Sequence, residues 1–252
     1  MKTNSGILNV LFGCEKEDIC ETVIITPFLP VEKFVGTADR QKVFRGRLYS
    51  GIKATGYTVI KCPMGASLAG DLVLFLGTTK AERIIYAGSC GGLGSAQTGD
   101  IVICDKAFSG GGFSDYYLPG KGIEKILGTN DMFPASSELV EEIWRRLHGF
   151  KHPEKVFKKG DIFTIASLFA ETPEDMRKIE AHGFYGIDME LSAVYHAADV
   201  AGMKAAGILF VSDLPLEKPF WETSSSGEKE KLKASAETVI KLSLLAAGVD
   251  DQ

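Results

Sequence analysis

The sequence has no long hydrophobic run, no excess of basic residues and no segment typical of a secretory leader. No apolar stretch reaches the 18 residues that a membrane-spanning helix needs, and the first twenty residues lack a charged start followed by an apolar segment and a cleavage site. The net charge of −5 argues against a nucleic-acid partner, because clustered Lys and Arg bind phosphate backbones. We therefore expect a cytoplasmic protein that binds neither membranes nor nucleic acid.

The cysteines also have no diagnostic spacing. The five cysteines are scattered, with no C-x-x-C pair and no pair of histidines near them. We expect reduced, mostly buried thiols and no metal site.

Segments rich in β-branched residues alternate with amphipathic segments along the chain. The strand-like segments are ETVIITPF, YTVIKC, ERIIYAG, DIVICDKAF, GDIFTIAS, GFYGIDM and AAGILFVSD. Helical patterns occupy 66–81, 136–150, 172–183, 190–202 and 227–248, while 108–122 and 217–231 are predicted as long loops. This alternation predicts a single α/β domain in which helices cover both faces of a sheet.

The stretch YAGSCGGLGSAQTGD, residues 86–100, concentrates glycine at the end of a predicted strand. It lacks the G-x-G-x-x-G spacing of dinucleotide sites and the GK[ST] ending of a P-loop. A tight strand-ending turn explains the glycines. The hydroxyl of Ser89 beside bare backbone N–H groups offers a second explanation, a cradle for an anion or a hydroxyl.

Four motifs in order along the chain resemble those of the nucleoside phosphorylase superfamily, which includes purine nucleoside and uridine phosphorylases and methylthioadenosine/S-adenosylhomocysteine nucleosidases. They are CPMGASLAG at 62–70, GSCGGLG at 88–94, GIDMELSAVYHAA at 186–198 and FVSD at 210–213. The resemblance implies one three-layer α/β domain over residues 1–252, with a twisted mixed sheet flanked by helices. It also implies metal-free cleavage of an N-glycosidic bond without an organic cofactor.

Two acidic residues are the main candidates for chemistry. An acid at the carboxyl end of a strand can protonate a departing base, and the resemblance gives Asp213 this role toward N7 of a purine. A carboxylate has two acceptor oxygens, and the resemblance places Glu190 on two ribose hydroxyls. Asp213 could instead only begin a turn before Pro215, and Glu190 could be an ordinary favourable acid at a helix N-terminus.

The resemblance also implies contacts with the substrate. Met189 would contact the sugar, Phe169 would stack on the base and Ser89 would bind the nucleophile, although Met189 and Phe169 could equally be packed side chains. The motifs add three further substrate-binding candidates: Met64, Gly91 and Ser212.

The chain departs from the superfamily where a phosphorylase binds phosphate. Tyr86 stands in place of a strand-end arginine, and in the loop after the first strand Phe28 replaces a glycine and Glu32 an arginine. Only Arg45 or Arg47, reaching a neighbouring subunit, remains available for phosphate. The same alignment places Glu32 on the general base of the hydrolytic members, although Glu32 could also be a solvated loop acid.

These departures favour hydrolysis of a purine nucleoside over phosphorolysis. The alternatives are a phosphorylase with inorganic phosphate as co-substrate, and a nucleoside-binding protein of the same fold without catalysis. The resemblance further implies a homo-oligomer, either a dimer or a hexamer.

Overall fold

The computed structural model describes residues 5–36, 39–147 and 157–249. Ten strands occur in these ranges: β1 Thr22–Thr26, β2 Lys42–Arg45, β3 Ser50–Lys53, β4 Tyr57–Lys61, β5 Arg83–Gly92, β6 Ile101–Ser109, β7 Met132–Pro134, β8 Phe157–Thr164, β9 Gly186–Asp188 and β10 Lys204–Asp213. The helices are α1 Ser5–Leu11, α2 Ala66–Leu76, α3 Phe113–Tyr117, α4 Ile123–Leu127, α5 Ser137–Leu147, α6 Pro173–Ala181, α7 Leu191–Ala201 and α8 Ser226–Ala246.

All ten strands belong to one mixed sheet, and part of that sheet closes on itself. Strand β10 pairs in parallel with β5 and antiparallel with β6. The ring continues from β6 through β8 and β9 back to β5. The remaining path from β5 runs through β1, β4 and β3 to β2. The closure brings the carboxyl ends of β5, β9 and β10 to one place.

Helices cover both faces of the sheet because successive side chains of its buried strands point to opposite sides. On β5, Ile84 and Tyr86 join an apolar cluster with α1, α2 and α7, whereas Ile85 and Ala87 join a second cluster with α5 and α8. A third cluster packs α4 and α6 against phenylalanines of β6 and β8. The predicted three-layer α/β architecture is confirmed.

The glycine-rich stretch differs from its prediction, since β5 continues through it to Gly92 and no turn begins at Gly88. Close packing explains two of these glycines. A Cβ on Gly91 would lie 2.7 Å from Cγ of Pro215, and one on Gly92 would lie 2.7 Å from Cγ1 of Val211. Gly94 has a φ of +59°, in the left-handed region that favours glycine. The turn therefore comes after the strand rather than within it.

Several elements were absent from the sequence-based prediction. These are α1, the antiparallel pair β2 and β3, the short strand β7, and the short helices α3 and α4, of which α3 lies within the predicted loop 108–122. The predicted helix over 136–150 is observed as α5, and residues 148–150 lie outside the described ranges. Within the described ranges, all helices are too short or too polar to cross a membrane.

Candidate active site

A cavity of about 290 Å³ opens at the carboxyl ends of β5, β9 and β10, where open α/β sheets bind ligands. Its walls are mostly apolar, formed by Pro27, Phe28, Met64, Leu168, Ile187, Met189 and Phe220. Four acidic residues are also among its lining, Glu171, Asp188, Glu190 and Asp213. Ser89, Cys90, Gly91 and Ser212 complete the lining.

The charge of this cavity has one sign, because none of the described residues that line it is a lysine or an arginine. Such a site attracts positive charge and repels anions, most strongly where water is excluded. The described residues also hold no group of three or more His, Cys, Asp or Glu that could bind a metal ion.

Glu190 is buried immediately before α7, and both of its carboxylate oxygens accept hydrogen bonds. Oε1 accepts from the backbone N–H of Gly65 at 2.6 Å, and Oε2 accepts from the hydroxyl of Tyr86 at 2.7 Å. Burial raises the pKa of Glu190, while these two donors and the backbone N–H of Met189 oppose the rise. The prediction placed Glu190 in the first turn of its helix, and the structure places it one residue earlier, as the N-cap.

Asp188 connects β9 to the start of α7. Its Oδ2 accepts hydrogen bonds from the backbone N–H groups of Glu190 and Leu191, and its Oδ1 accepts from the hydroxyl of Thr164. Burial, followed by the charge of Glu190, raises the pKa of Asp188 to about 7. Asp188 therefore fixes the backbone that presents Glu190 to the cavity.

Asp213 lies at a bulge, because the pairing of β10 with β5 shifts register between Val211 and Asp213. Bulges commonly redirect a side chain near a site. The carboxylate accepts hydrogen bonds from the Ser212 hydroxyl at 2.6 Å and from the backbone N–H of Phe220. Burial raises the pKa of Asp213 despite these two donors, so Asp213 holds its proton to higher pH than an exposed aspartate does.

Glu171 is a site residue that the sequence did not reveal. It follows the short 3₁₀ turn Leu168–Ala170, and burial together with the charge of Asp213 raises its pKa to about 7. In the sequence it is one of several acids around the start of α6, and no pattern distinguishes it from Glu174 or Asp175.

The structure brings seven of the predicted site residues to this cavity, although they are distant in the chain. They are Met64, Ser89, Gly91, Met189, Glu190, Ser212 and Asp213. Asp213 and Glu190 therefore face the same space.

Four other predicted residues do not line the cavity. Glu32 is exposed on the 3₁₀ turn Val31–Lys33, where its charge acts on Lys61. Phe169 is 90% exposed, and its neighbour Leu168 lines the cavity instead. Arg45 at the end of β2 and Arg47 after it are exposed on the surface.

Comparison with known proteins places this arrangement in a family. Residues 17–246 match the model of the phosphorylase superfamily. A curated relative, the purine nucleoside phosphorylase DeoD-type 2 of Vibrio parahaemolyticus, is 29% identical over 168 residues, which are 64% of this chain and 65% of the relative. The match thus spans slightly less than two thirds of that relative's length.

Solved structures share the fold over nearly the whole chain. Purine nucleoside phosphorylase from Toxoplasma gondii, in complex with immucillin-H, has a TM-score of 0.77 at 20% identity and covers 98% of this chain and 97% of its own. AMP nucleosidase from Bacteroides thetaiotaomicron has a TM-score of 0.66 at 18% identity, with coverage of 94% and 96%. At these identities the likeness concerns the fold.

Proposed function

This chain belongs to the phosphorylase superfamily, and from that membership we propose that it is an enzyme that cleaves the N-glycosidic bond of a purine nucleoside. The observation that carries the proposal is the convergence of Asp213 and Glu190 on one cavity. Cleavage develops positive charge on the sugar and negative charge on the base. An acid for the base and a carboxylate for the sugar meet both needs.

Asp213 is proposed as the proton donor to the leaving base. Its burial raises its pKa, which keeps a proton available at higher pH than an ordinary aspartate would. The proton moves to N7 of the purine while the bond between N9 and C1′ breaks and its electron pair goes to the base. Glu190 is proposed to accept hydrogen bonds from the 2′ and 3′ hydroxyls, and Met189 to contact the sugar.

Water is the favoured nucleophile in this proposal. No basic side chain lies among the described lining residues to bind a phosphate dianion, and each lining carboxylate that is ionised opposes the dianion and stabilises a positively charged ribosyl group. The oxygen of water bonds to C1′, and a carboxylate takes its proton. Glu171 suits this step because a pKa of about 7 favours proton transfer near neutral pH. Glu32 would need to move from its exposed turn to act as the base that takes the proton of water.

Phosphorolysis is the second candidate, favoured by the name of the curated relative, a purine nucleoside phosphorylase. The fold also occurs in a protein named as a nucleosidase. In a phosphorylase, a second copy of this chain would have to supply cationic side chains, and Arg45 and Arg47 are exposed for that purpose.

We further propose a homo-oligomer in which a second copy covers the cavity mouth. Four large apolar side chains that line the cavity remain exposed in the isolated chain, namely Phe28, Met64, Leu168 and Phe220. Exposed apolar side chains grouped around one cavity are typical of an interaction site. Light scattering would give the mass, and a monomer would contradict the proposal.

Product analysis tests the reaction. The purified protein would be incubated with a panel of purine nucleosides, with and without inorganic phosphate, and base, ribose and ribose 1-phosphate quantified. Base and free ribose without phosphate are expected. Ribose 1-phosphate formed only with phosphate would favour the second candidate. Nucleoside-dependent thermal stabilisation without release of base would indicate a binding protein and overturn the enzymatic proposal.

A further inference from the structure

Tyr86 is buried in the middle of β5, with 1% of its surface exposed, and its hydroxyl donates to Oε2 of Glu190 at 2.7 Å. The two residues are 104 positions apart in the sequence. Burial and the nearby charge of Glu190 raise the pKa of the Tyr86 hydroxyl well above its ordinary value. The hydroxyl therefore stays protonated and remains a donor at all physiological pH values.

A second donor holds the other oxygen of Glu190. The backbone N–H of Gly65, at the N-cap of α2, lies 2.6 Å from Oε1. Gly65 has a φ of +113°, which side-chain-bearing residues rarely adopt, so the position of this N–H depends on glycine. Glu190 is thus fixed from two directions, by the body of β5 and by the start of α2.

This arrangement leaves part of the acceptor capacity of Glu190 unused. A carboxylate has about four lone-pair sites on two oxygens, of which Gly65 and Tyr86 occupy one on each oxygen, and the backbone N–H of Met189 also interacts with the group. Because Glu190 lines the cavity, the remaining acceptor capacity is available to hydroxyl donors of a ligand. Because Tyr86 is neutral, it orients Glu190 and leaves the negative charge of the carboxylate in place. An arginine at this position would neutralise that charge.

We propose that Tyr86 is a positioning residue that orients Glu190 toward a vicinal diol, so that the cavity takes ribonucleosides in preference to 2′-deoxyribonucleosides. This inference deepens the proposed function and rests on it for the entry of a nucleoside into the cavity.

The matched substitutions are Tyr86→Phe and Tyr57→Phe. Phenylalanine at 86 retains the ring that packs against Gly88 and removes only the hydroxyl. Tyr57 is also buried and donates a single hydrogen bond of 2.7 Å, to the carbonyl of Phe34, and it does not line the cavity. Both variants lose one buried hydroxyl, and only Tyr86→Phe alters the support of Glu190.

The experiment measures equilibrium dissociation constants for inosine and 2′-deoxyinosine, and for adenosine and 2′-deoxyadenosine. All proteins carry Asp213→Asn, which is expected to slow cleavage during the measurement. We expect the parent to bind a ribonucleoside at least about tenfold more tightly than its 2′-deoxy form, since a hydrogen bond to a charged group is lost. Tyr86→Phe should weaken ribonucleoside binding about tenfold and change 2′-deoxyribonucleoside binding much less, while Tyr57→Phe preserves the ratio.

Equal weakening of both sugar types by Tyr86→Phe, or no change in the ratio, would overturn the inference. A preserved ribose preference combined with no base release by the unmodified protein would overturn the proposed cleavage and leave the inference standing. Failure of every nucleoside to bind would overturn both.

Discussion

The hydroxyl of Ser212 donates a hydrogen bond to Oδ1 of Asp213 at 2.6 Å, and the same hydroxyl lies 3.1 Å from the carbonyl oxygen of Cys90 on β5. This bond stabilises the ionised form of Asp213, so it lowers a pKa that burial raises. The acidity of the proposed proton donor is therefore a balance between its burial and its neighbour.

Ser212→Ala tests that balance. Loss of the donor should raise the pKa of Asp213 further, so the alkaline limb of the kcat/KM profile should move up by about one pH unit. Ser243→Ala is the control, because its hydroxyl bonds only within α8 and should leave both limbs in place. An alkaline limb that does not move, or moves to lower pH, would exclude Asp213 as the group that titrates there.

Asp213→Asn addresses the proton donor directly. An amide fills the same space but has no acidic proton, so kcat/KM should fall about 10²- to 10⁴-fold while the dissociation constant of the nucleoside changes less than about tenfold. The exposed Asp199 on α7 offers a control of the same chemistry, and Asp199→Asn should retain full activity. Undiminished base release by Asp213→Asn would remove Asp213 from the mechanism.

Most strands and the long helices could be predicted from local sequence patterns, whereas the candidate site could be predicted only in part. Buried strands such as β1 and β10 are runs of β-branched and apolar residues, and α6 begins with a Thr172 cap and a proline that are visible in the sequence. The sequence-based prediction missed β2 and β3. Strand β2 is mostly exposed, and its register comes from pairing with β3 rather than from an apolar pattern.

Relations between distant residues could not be predicted from local patterns. The bond from Gly65 to Glu190 joins positions 125 apart, and the pKa of Glu171 depends on its burial beside Asp213. Motifs nevertheless identified Glu190, at the N-cap of α7, and Asp213, at the end of β10, because each lies within a recognisable short sequence. Glu171 lacks such a signal. Tyr86 was noted only as a replacement for an arginine, and its hydrogen bond to Glu190 is visible only in the fold.

Glu171 should make stability depend on pH. Its pKa is raised from 4.5 to about 7 in the folded protein, so folding favours the protonated form. The contribution of Glu171 to the free energy of unfolding is fully present below about pH 4.5 and decreases as the pH rises toward 7. The decrease is up to about 3 kcal/mol for this shift. Urea unfolding of the wild type and Glu171→Gln from pH 4.5 to 7.5 should show a smaller decline for the variant. Parallel curves would contradict the raised pKa.

The same substitution tests the proposed base. A base must be ionised, so activity of the wild type should fall as the pH drops through about 7. Glu171→Gln should lower kcat about 10²-fold or more and abolish that acidic limb. Glu32→Gln is the direct comparison, since Glu32 does not line the cavity of the isolated chain. A large loss with Glu32→Gln and none with Glu171→Gln would assign the base to Glu32.

Gly91 links packing to the site, because a side chain there would collide with the loop after Asp213. An alanine Cβ would lie 2.7 Å from Cγ of Pro215 and 3.2 Å from Cγ1 of Ile187. Pro215 starts the segment that carries Phe220, whose backbone N–H donates to Asp213. Gly91→Ala should therefore lower the free energy of unfolding by about 1–3 kcal/mol and also reduce kcat/KM.

Pro215→Ala separates this collision from the intrinsic effect of alanine in a strand. It removes the ring atoms that the new Cβ would meet, so Gly91→Ala should cost clearly less in the Pro215→Ala background than alone. Urea unfolding and kcat/KM of the two single variants and the double variant complete the cycle. If the losses of unfolding free energy of the two single variants add up to that of the double variant, the contact with Pro215 is not the reason for glycine at position 91. A coupling of about 1 kcal/mol or more would show that the bare backbone of β5 is needed to seat the loop that holds Asp213.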